Sequence, residues 1–221
     1  VFDAALTAHE AEVEAIASSK GPATVENTLV ALELSGEALS RVSTNFWCRA
    51  GAHTNETIQK LEREISPRMA RHYSRIFMNE RLFQRIDALY GARKKLNLDK
   101  ETSRVLEKTW KRFVRGGAKL DEQGKKRLAE INEELAELGA RFGQNVLADE
   151  SKWALFLDEP DLDGIPDSLK SAMAEAAESR GKSGQYAVTL SRSIAEPFLS
   201  TSARRDLRET VLEAFLRRGD N

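Results

Sequence analysis

The stretch Asp121–Asp149, DEQGKKRLAEINEELAELGARFGQNVLAD, constrains this chain more than any other. Leu128, Ile131, Leu135, Leu138 and Phe142 follow in steps of three and four residues, which sets all five on one stripe of a helix. Glu130, Glu133, Glu134, Glu137 and Arg141 take the other faces, and Glu137 precedes Arg141 by four residues, the favourable order for an ion pair. Asp121 is the expected N-cap, its carboxylate accepting amide hydrogens that the first turn leaves unpaired. No proline interrupts the run. A long amphipathic helix follows, and its apolar stripe is expected to be core, covered by the flanking segments. The seam is too short for the three or four heptads that a coiled-coil dimer would need.

A chain of 221 residues can form one large or two small domains and bury a real core. Hydrophobic residues at 41% and charged residues at 31% describe a folded, helix-rich protein rather than a disordered one. Lys and Arg number 34 against 35 Asp and Glu, so no global field draws the chain to nucleic acid or to an acidic membrane. No apolar run is long enough to span a bilayer, and Val1–Ala15 carries no basic leader region. The lone Cys48 excludes an internal disulfide and suits a reducing compartment. A cytoplasmic location is expected, with the periplasm as the alternative. Val1 lies inside an already amphipathic segment, and Asn221 follows closely on another. The chain is therefore expected to be a segment of a longer protein.

Along the sequence, Phe2, Leu6, His9, Val13 and Ile16 mark a first helix, closed by the loop at residues 18–22. Thr24 reads as the N-cap of a second, which Val25, Leu29, Leu32, Leu39, Val42 and Phe46 carry to about Arg49. Gly36 falls inside it and suggests a close helix crossing. Thr54 is expected to cap a third helix with Ile58, Leu61, Ile65, Met69, His72 and Ile76 inward, kinked or broken at Pro67. Asn79 caps a fourth containing Leu82, Phe83, Ile86 and Leu89. Asp99 starts a fifth with Val105, Leu106, Trp110, Phe113 and Val114, ended by Gly116-Gly117. Beyond the central helix the pattern changes. Lys152–Asp158 and Gln185–Leu190 read as a two-stranded sheet, with an alanine-rich helix between them that starts at Pro166. A last helix covers roughly 203–218, with Leu207, Val211, Leu212 and Phe215 inward. The fold expected is mainly α, a multi-helix domain over residues 1–149 and a mixed helix and short-strand segment over 150–221.

Chemistry is harder to find. Zinc hydrolysis needs spaced imidazoles and a carboxylate base, commonly HExxH on one helix. His9-Glu10 begins like that motif, but Val13 stands where the second histidine belongs. His53 and His72 lie on different expected helices with no spaced partner, so each histidine reads as a packed or capping residue. Cys48, between Trp47 and Arg49, reads as a buried thiol rather than a nucleophile. Gly181-Lys182-Ser183-Gly184 lacks the spacing of a phosphate loop and reads as a turn. Asn55-Glu56-Thr57 matches a glycosylation sequon, but a helix N-terminus explains it better. Lys111, Arg112, Arg115 and Lys119 flank Trp110 and Phe113, yet these aromatics fall at core spacing, so a solvated helix face is preferred over a nucleic-acid surface.

The order of segments says more. Ala23–Glu56, Phe77–Tyr90 and Lys108–Glu150, followed by Asp161–Pro166, Thr189–Ser191 and Arg204–Asn221, resemble in series the N-terminal region of bacterial peptidyl-dipeptidases. These are the dipeptidyl carboxypeptidases of the thimet oligopeptidase family of zinc metallopeptidases. The resemblance implies a mostly helical protein split by a deep channel, with zinc held by an HExxH motif and a downstream glutamate in the C-terminal half. None of those residues has a counterpart here, so no catalytic, cofactor-binding or metal residue is carried over. The implied role is one wall of the channel in a zinc enzyme that hydrolyses short, unstructured peptides, releasing C-terminal dipeptides. Its partner would be its own C-terminal catalytic half, with no nucleic acid or membrane involved. The segment alone is expected to be inactive, and a monomer or weak dimer. The competing reading is a non-catalytic helical interaction or adaptor domain.

Overall fold

The computed structural model describes residues 1–220, which form two compact units, Val1–Ala140 and a second beginning at Arg141. The chain is mainly helical, with one small sheet in its last third.

In the first unit, α1 (Phe2–Ala17) packs with both of its ends. Ala5 joins Leu39, Ile65 and Met69 in one apolar cluster, while Val13 and Ile16 join Ile76, Leu82, Phe83, Ile86 and Phe113 in another. A third cluster gathers Leu29, Leu89 and Leu106. Thr24 caps as expected: its Oγ1 accepts from the Asn27 amide, and the Asn27 carboxamide accepts from the Thr24 amide in return. The single helix expected from Val25 to Arg49 is instead three pieces. They are a π-helical segment Val25–Val30, α2 (Ala31–Leu34) and α3 (Glu37–Ala52). The break is at Gly36, whose φ of 77° is left-handed. A Cβ there would lie 2.9 Å from the His9 ring. The close approach is thus real, but it occurs at a break rather than within a helix.

The cap of α4 (Glu56–Phe77) is Asn55, not Thr54: Asn55 Oδ1 accepts from the Ile58 amide, while the buried Thr54 hydroxyl has no partner. Pro67 does not break α4, which continues through it, and Leu61 is exposed rather than inward. Asn79 and Asp99 cap α5 (Glu80–Ala92) and α6 (Lys100–Arg115) through the amides of Leu82 and Thr102. At the end of α6 the Ala118 amide donates to Phe113 O and the Gly117 amide to Val114 O. Gly117 sits at φ 98° between them, a complete Schellman closure. Arg85 is buried and spends its guanidinium on neutral acceptors, Thr28 Oγ1, Ser19 O, Gly21 O and Asn27 Oδ1, pinning the loop after α1 to α5.

α7 (Glu122–Lys152) starts where Asp121 Oδ1 accepts from the Gly124 amide. In the second unit, β1 (Ala154–Leu157) pairs antiparallel with β2 (Tyr186–Thr189), Leu155 opposite Val188 and Phe156 opposite Ala187. α8 (Asp167–Glu178) follows Pro166. The core gathers Leu157, Leu162, Ile165, Leu169, Met173, Val188, Ile194, Phe198 and Val211. The segment after β2, left without structure by the sequence reading, is α9 (Arg192–Thr201), which runs through Pro197. α10 spans Arg205–Leu216, with Val211 fully buried and Leu212 exposed rather than inward.

Candidate functional site

His9 and His72 are packed residues as read, but they meet each other, which the sequence does not show. His9 on α1 and His72 on α4 are 63 residues apart and meet in the interior of the first unit, only 8% and 3% exposed. His72 Nε2 lies 2.9 Å from His9 Nδ1, and the ring centroids are 4.9 Å apart. His9 Nε2 lies 3.3 Å from Ser35 Oγ, whose hydroxyl donates to Leu32 O at 2.7 Å. Glu12 accepts from the Gly36 amide at 2.6 Å, so α1 grips the break before α3 with both an imidazole and a carboxylate. Burial lowers the proton affinity of both rings. No local spacing in the sequence signals this pair. Only the crossing of two helices creates it.

Beside His72, a cleft of about 220 Å³ opens between α1 and α4, lined among others by Asp3, Glu10, Arg68, Arg71 and Arg75. Its arginines are paired: Arg68 with Asp3, Arg75 with Glu10, and Arg71 through two bonds of 2.9 and 2.6 Å with Glu133 of α7. The Arg71 guanidinium holds the Glu133 carboxyl below its usual range.

The other candidates resolve as follows. Cys48 is exposed, not buried, because the inward face of α3 runs through Leu39, Val42 and Phe46 and leaves position 48 outside it. His53 is exposed at the end of α3. Gly181 and Gly184, both at positive φ, form the turn from α8 to β2. The basic run is a helix face as read up to Arg115, with Lys119 in the turn beyond it: Phe113 is buried, Trp110 stacks on Tyr90 and donates to Asp87, and Lys111 pairs with Glu107. Among the described residues, no group of three histidine, cysteine or carboxylate side chains is placed to hold a metal ion. No helix among them is long and apolar enough to cross a membrane.

From Leu135 to Phe142 the apolar stripe of α7 is not core. In the first unit Leu135 is 61% exposed and Leu138 47%; in the second, Phe142 is 57% exposed. The first-unit part of α7 packs through Lys125, Leu128, Ala129, Ile131, Asn132 and Glu133, all buried or half-buried, so the stripe is partly covered at Leu128 and Ile131 and open at Leu135 and Leu138. Lys125 bridges to Glu80 at 2.6 Å and Asn132 donates to Ser74 Oγ at 3.1 Å. Part of the face that the sequence marks most strongly for burial, Leu135, Leu138 and Phe142, is thus left to solvent.

The chain is similar to the dipeptidyl carboxypeptidase of Salmonella typhimurium, 35% identical over 96% of this chain and 32% of that protein. It is 34% identical to the dipeptidyl carboxypeptidase of Escherichia coli over 96% of this chain and 31% of that protein. A more distant similarity, 24% identity over 88% of this chain and 29% of the relative, links it to oligopeptidase A of Haemophilus influenzae. The chain therefore spans about a third of the length of the curated relatives it matches. A scan against protein-family models finds no match.

Proposed function

We propose that this chain, a homologue of dipeptidyl carboxypeptidases, is the non-catalytic N-terminal wall of the substrate channel in a zinc-dependent peptidase of that kind. The observation that carries the reading is the extent of the similarity. Nearly all of the chain aligns with relatives of which it covers only a third. The remaining two thirds of such a protein would supply the catalytic half and its metal ligands.

Zinc does not fit the residues present here. His9 and His72 spend ring nitrogens on each other, Glu10 beside them is paired with Arg75, and the described residues include no group of three side chains placed to hold a metal ion. What this chain contributes is shape. A rigid helical wall narrows access to a cleft, admits short unstructured peptides and rejects folded proteins. It also raises the effective concentration of a correctly oriented peptide at chemistry carried elsewhere. The exposed Leu135 and Leu138 support this reading, because an apolar helix face open to water is a place where another part of a protein docks.

The test is complementation. This chain alone should cleave nothing. The complementary two thirds of a dipeptidyl carboxypeptidase, loaded with zinc, should cleave a fluorogenic short peptide poorly alone and faster when this chain is added, while folded proteins stay resistant. Full activity of the complementary part, unchanged on adding this chain, would sink the wall and leave an adaptor that uses the same helix face for other partners.

A further inference from the structure

The hydrogen-bond chain through the buried histidines fixes which nitrogen carries each proton. The Ser35 hydroxyl hydrogen is committed to Leu32 O, so toward His9 Nε2 the serine oxygen can only accept, and His9 must carry its proton on Nε2. A neutral His9 then offers only a lone pair at Nδ1. The 2.9 Å contact therefore requires His72 to donate from Nε2. That leaves the His72 Nδ1 lone pair buried with no hydrogen-bond partner. The nearest charged group is the Glu10 carboxylate, an acceptor itself, with Oε1 3.6 Å away and Arg75 Nη1 3.3 Å from the same oxygen. A lone pair facing a carboxylate is an unfavourable pairing that one added proton turns into an ion pair.

We propose that His72 Nδ1 is a single-proton binding site that, when filled, takes Glu10 from Arg75 while His9 stays neutral. The pair accepts one proton and no more. Protonating His9 at Nδ1 while His72 keeps its Nε2 proton would set two N–H groups against each other across 2.9 Å in a buried site. Filling His72 Nδ1 breaks nothing in the chain that runs from His72 through His9 and Ser35 to Leu32 O. The charged surroundings are mixed. Glu10 of α1 favours the proton on His72, with Asp3 further along the cleft, and Arg75 of α4 opposes it; Glu12 acts on His9 instead, where a charged His72 opposes it, and Arg68 and Arg71 line the same cleft. Glu133 of α7 is held by Arg71, and on the far side of His9 a second cavity brings in Glu33 and Arg112. Burial holds His72 below the ordinary histidine range, Glu10 pulls it up and Arg75 depresses it further, so the site fills only in mild acid. Once filled, it releases the Arg75 guanidinium into the cleft, which becomes more cationic as pH falls. Nothing in this step depends on the peptidase reading.

Nitrogen-detected NMR of the histidine rings of the whole chain, from about pH 8 to about pH 4.5, tests it. At the upper end both His9 and His72 should carry their protons on Nε2. On acidification His72 should gain a proton on Nδ1 while His9 stays neutral. Glu10→Gln should weaken the proton affinity of His72 about tenfold, the low end of what one adjacent charge does, and Arg75→Gln should strengthen it several-fold. Both side chains lie at the rim of the cleft, so the variants should fold. The wild-type tautomers decide the matter even if one variant does not. A proton on Nδ1 of His72 at the upper pH, titration of His9 before His72, or a His72 midpoint unmoved by both variants would each overturn the proposal.

Discussion

Helices α6 and α7 carry the same kind of apolar stripe and begin on the same kind of cap, yet only the stripe of α6 is covered along its length. In α6, Leu106 and Phe113 are fully buried, with Val105, Trp110 and Val114 packed around them. In α7, Leu135 and Leu138 stand in water, and the helix is attached by the Lys125, Asn132 and Glu133 side of its surface. Asp99 and Asp121 cap the two helices alike. Periodicity marks the face that avoids water, and it says nothing about whether the covering partner lies in the same stretch of chain.

The comparison breaks most easily at α6. Phe113 packs against Phe77 and Phe83, with ring centroids 5.2 and 6.2 Å away. Phe113→Ala should therefore cost about 3–5 kcal/mol, read from the denaturant midpoint. A loss below about 1 kcal/mol would mean that a buried stripe on this scaffold is worth no more than an exposed one.

What could be read from the sequence divides along the same line. Caps at Thr24, Asn79, Asp99 and Asp121, the closure at Gly117 and the β1–β2 pairing all follow from signals a few residues long, and the structure shows each. Gly36 looked like a helix interior because Leu29, Leu32 and Leu39 keep helical spacing across it. The break depends on His9, 27 positions earlier in the chain, occupying the space beside its Cα. α9 escaped because Pro197 lies inside it, although a proline only weakens a helix that Ile194, Ala195 and Phe198 bind into the core. The His9–His72 pair and the solvent-facing side of α7 were out of reach for the same reason. Each depends on which distant segment arrives, or does not arrive, against a face.

A smaller effect sharpens the contrast in the attachments. α6 is held by apolar burial, whereas α7 leans on Arg71–Glu133 and Lys125–Glu80. Arg71 depresses the Glu133 carboxyl in the folded state, so the folded form binds fewer protons than the unfolded one between the depressed and ordinary values. The stabilisation is present above the ordinary glutamate range and is lost as pH falls through the depressed value. Both partners are partly exposed, with side-chain accessibilities of 51% and 28%, so solvent and salt screen the pair and its effect is small. Hydrogen exchange should show the first-unit amides of α7 losing protection in acid or high salt before those of α6, and Glu133→Gln should reproduce the loss at neutral pH. Equal responses in the two helices would mean that the ion pairs do not hold α7.

The smallest expected effect is the most informative about α7. Leu→Ala at a buried site costs about 2–5 kcal/mol, which is what Leu135→Ala or Leu138→Ala would cost if the stripe were core. With the side chains 61% and 47% exposed, little apolar area is removed from water on folding. Alanine is also the better helix former, which offsets part of what is lost. Each substitution should therefore shift the stability of the chain alone by less than about 0.5 kcal/mol, within the range of an ordinary surface change. The same variants should behave differently in the complementation assay. If the remainder of a dipeptidyl carboxypeptidase covers this face, removing one leucine should weaken association about tenfold or more, since a buried large side chain contributes about 1.5–3 kcal/mol. A variant that is neutral in the chain alone and damaging with the complementary part would place the cover for α7 in that part. A variant damaging in the chain alone would mean that the stripe is buried after all, and α6 and α7 would cease to differ.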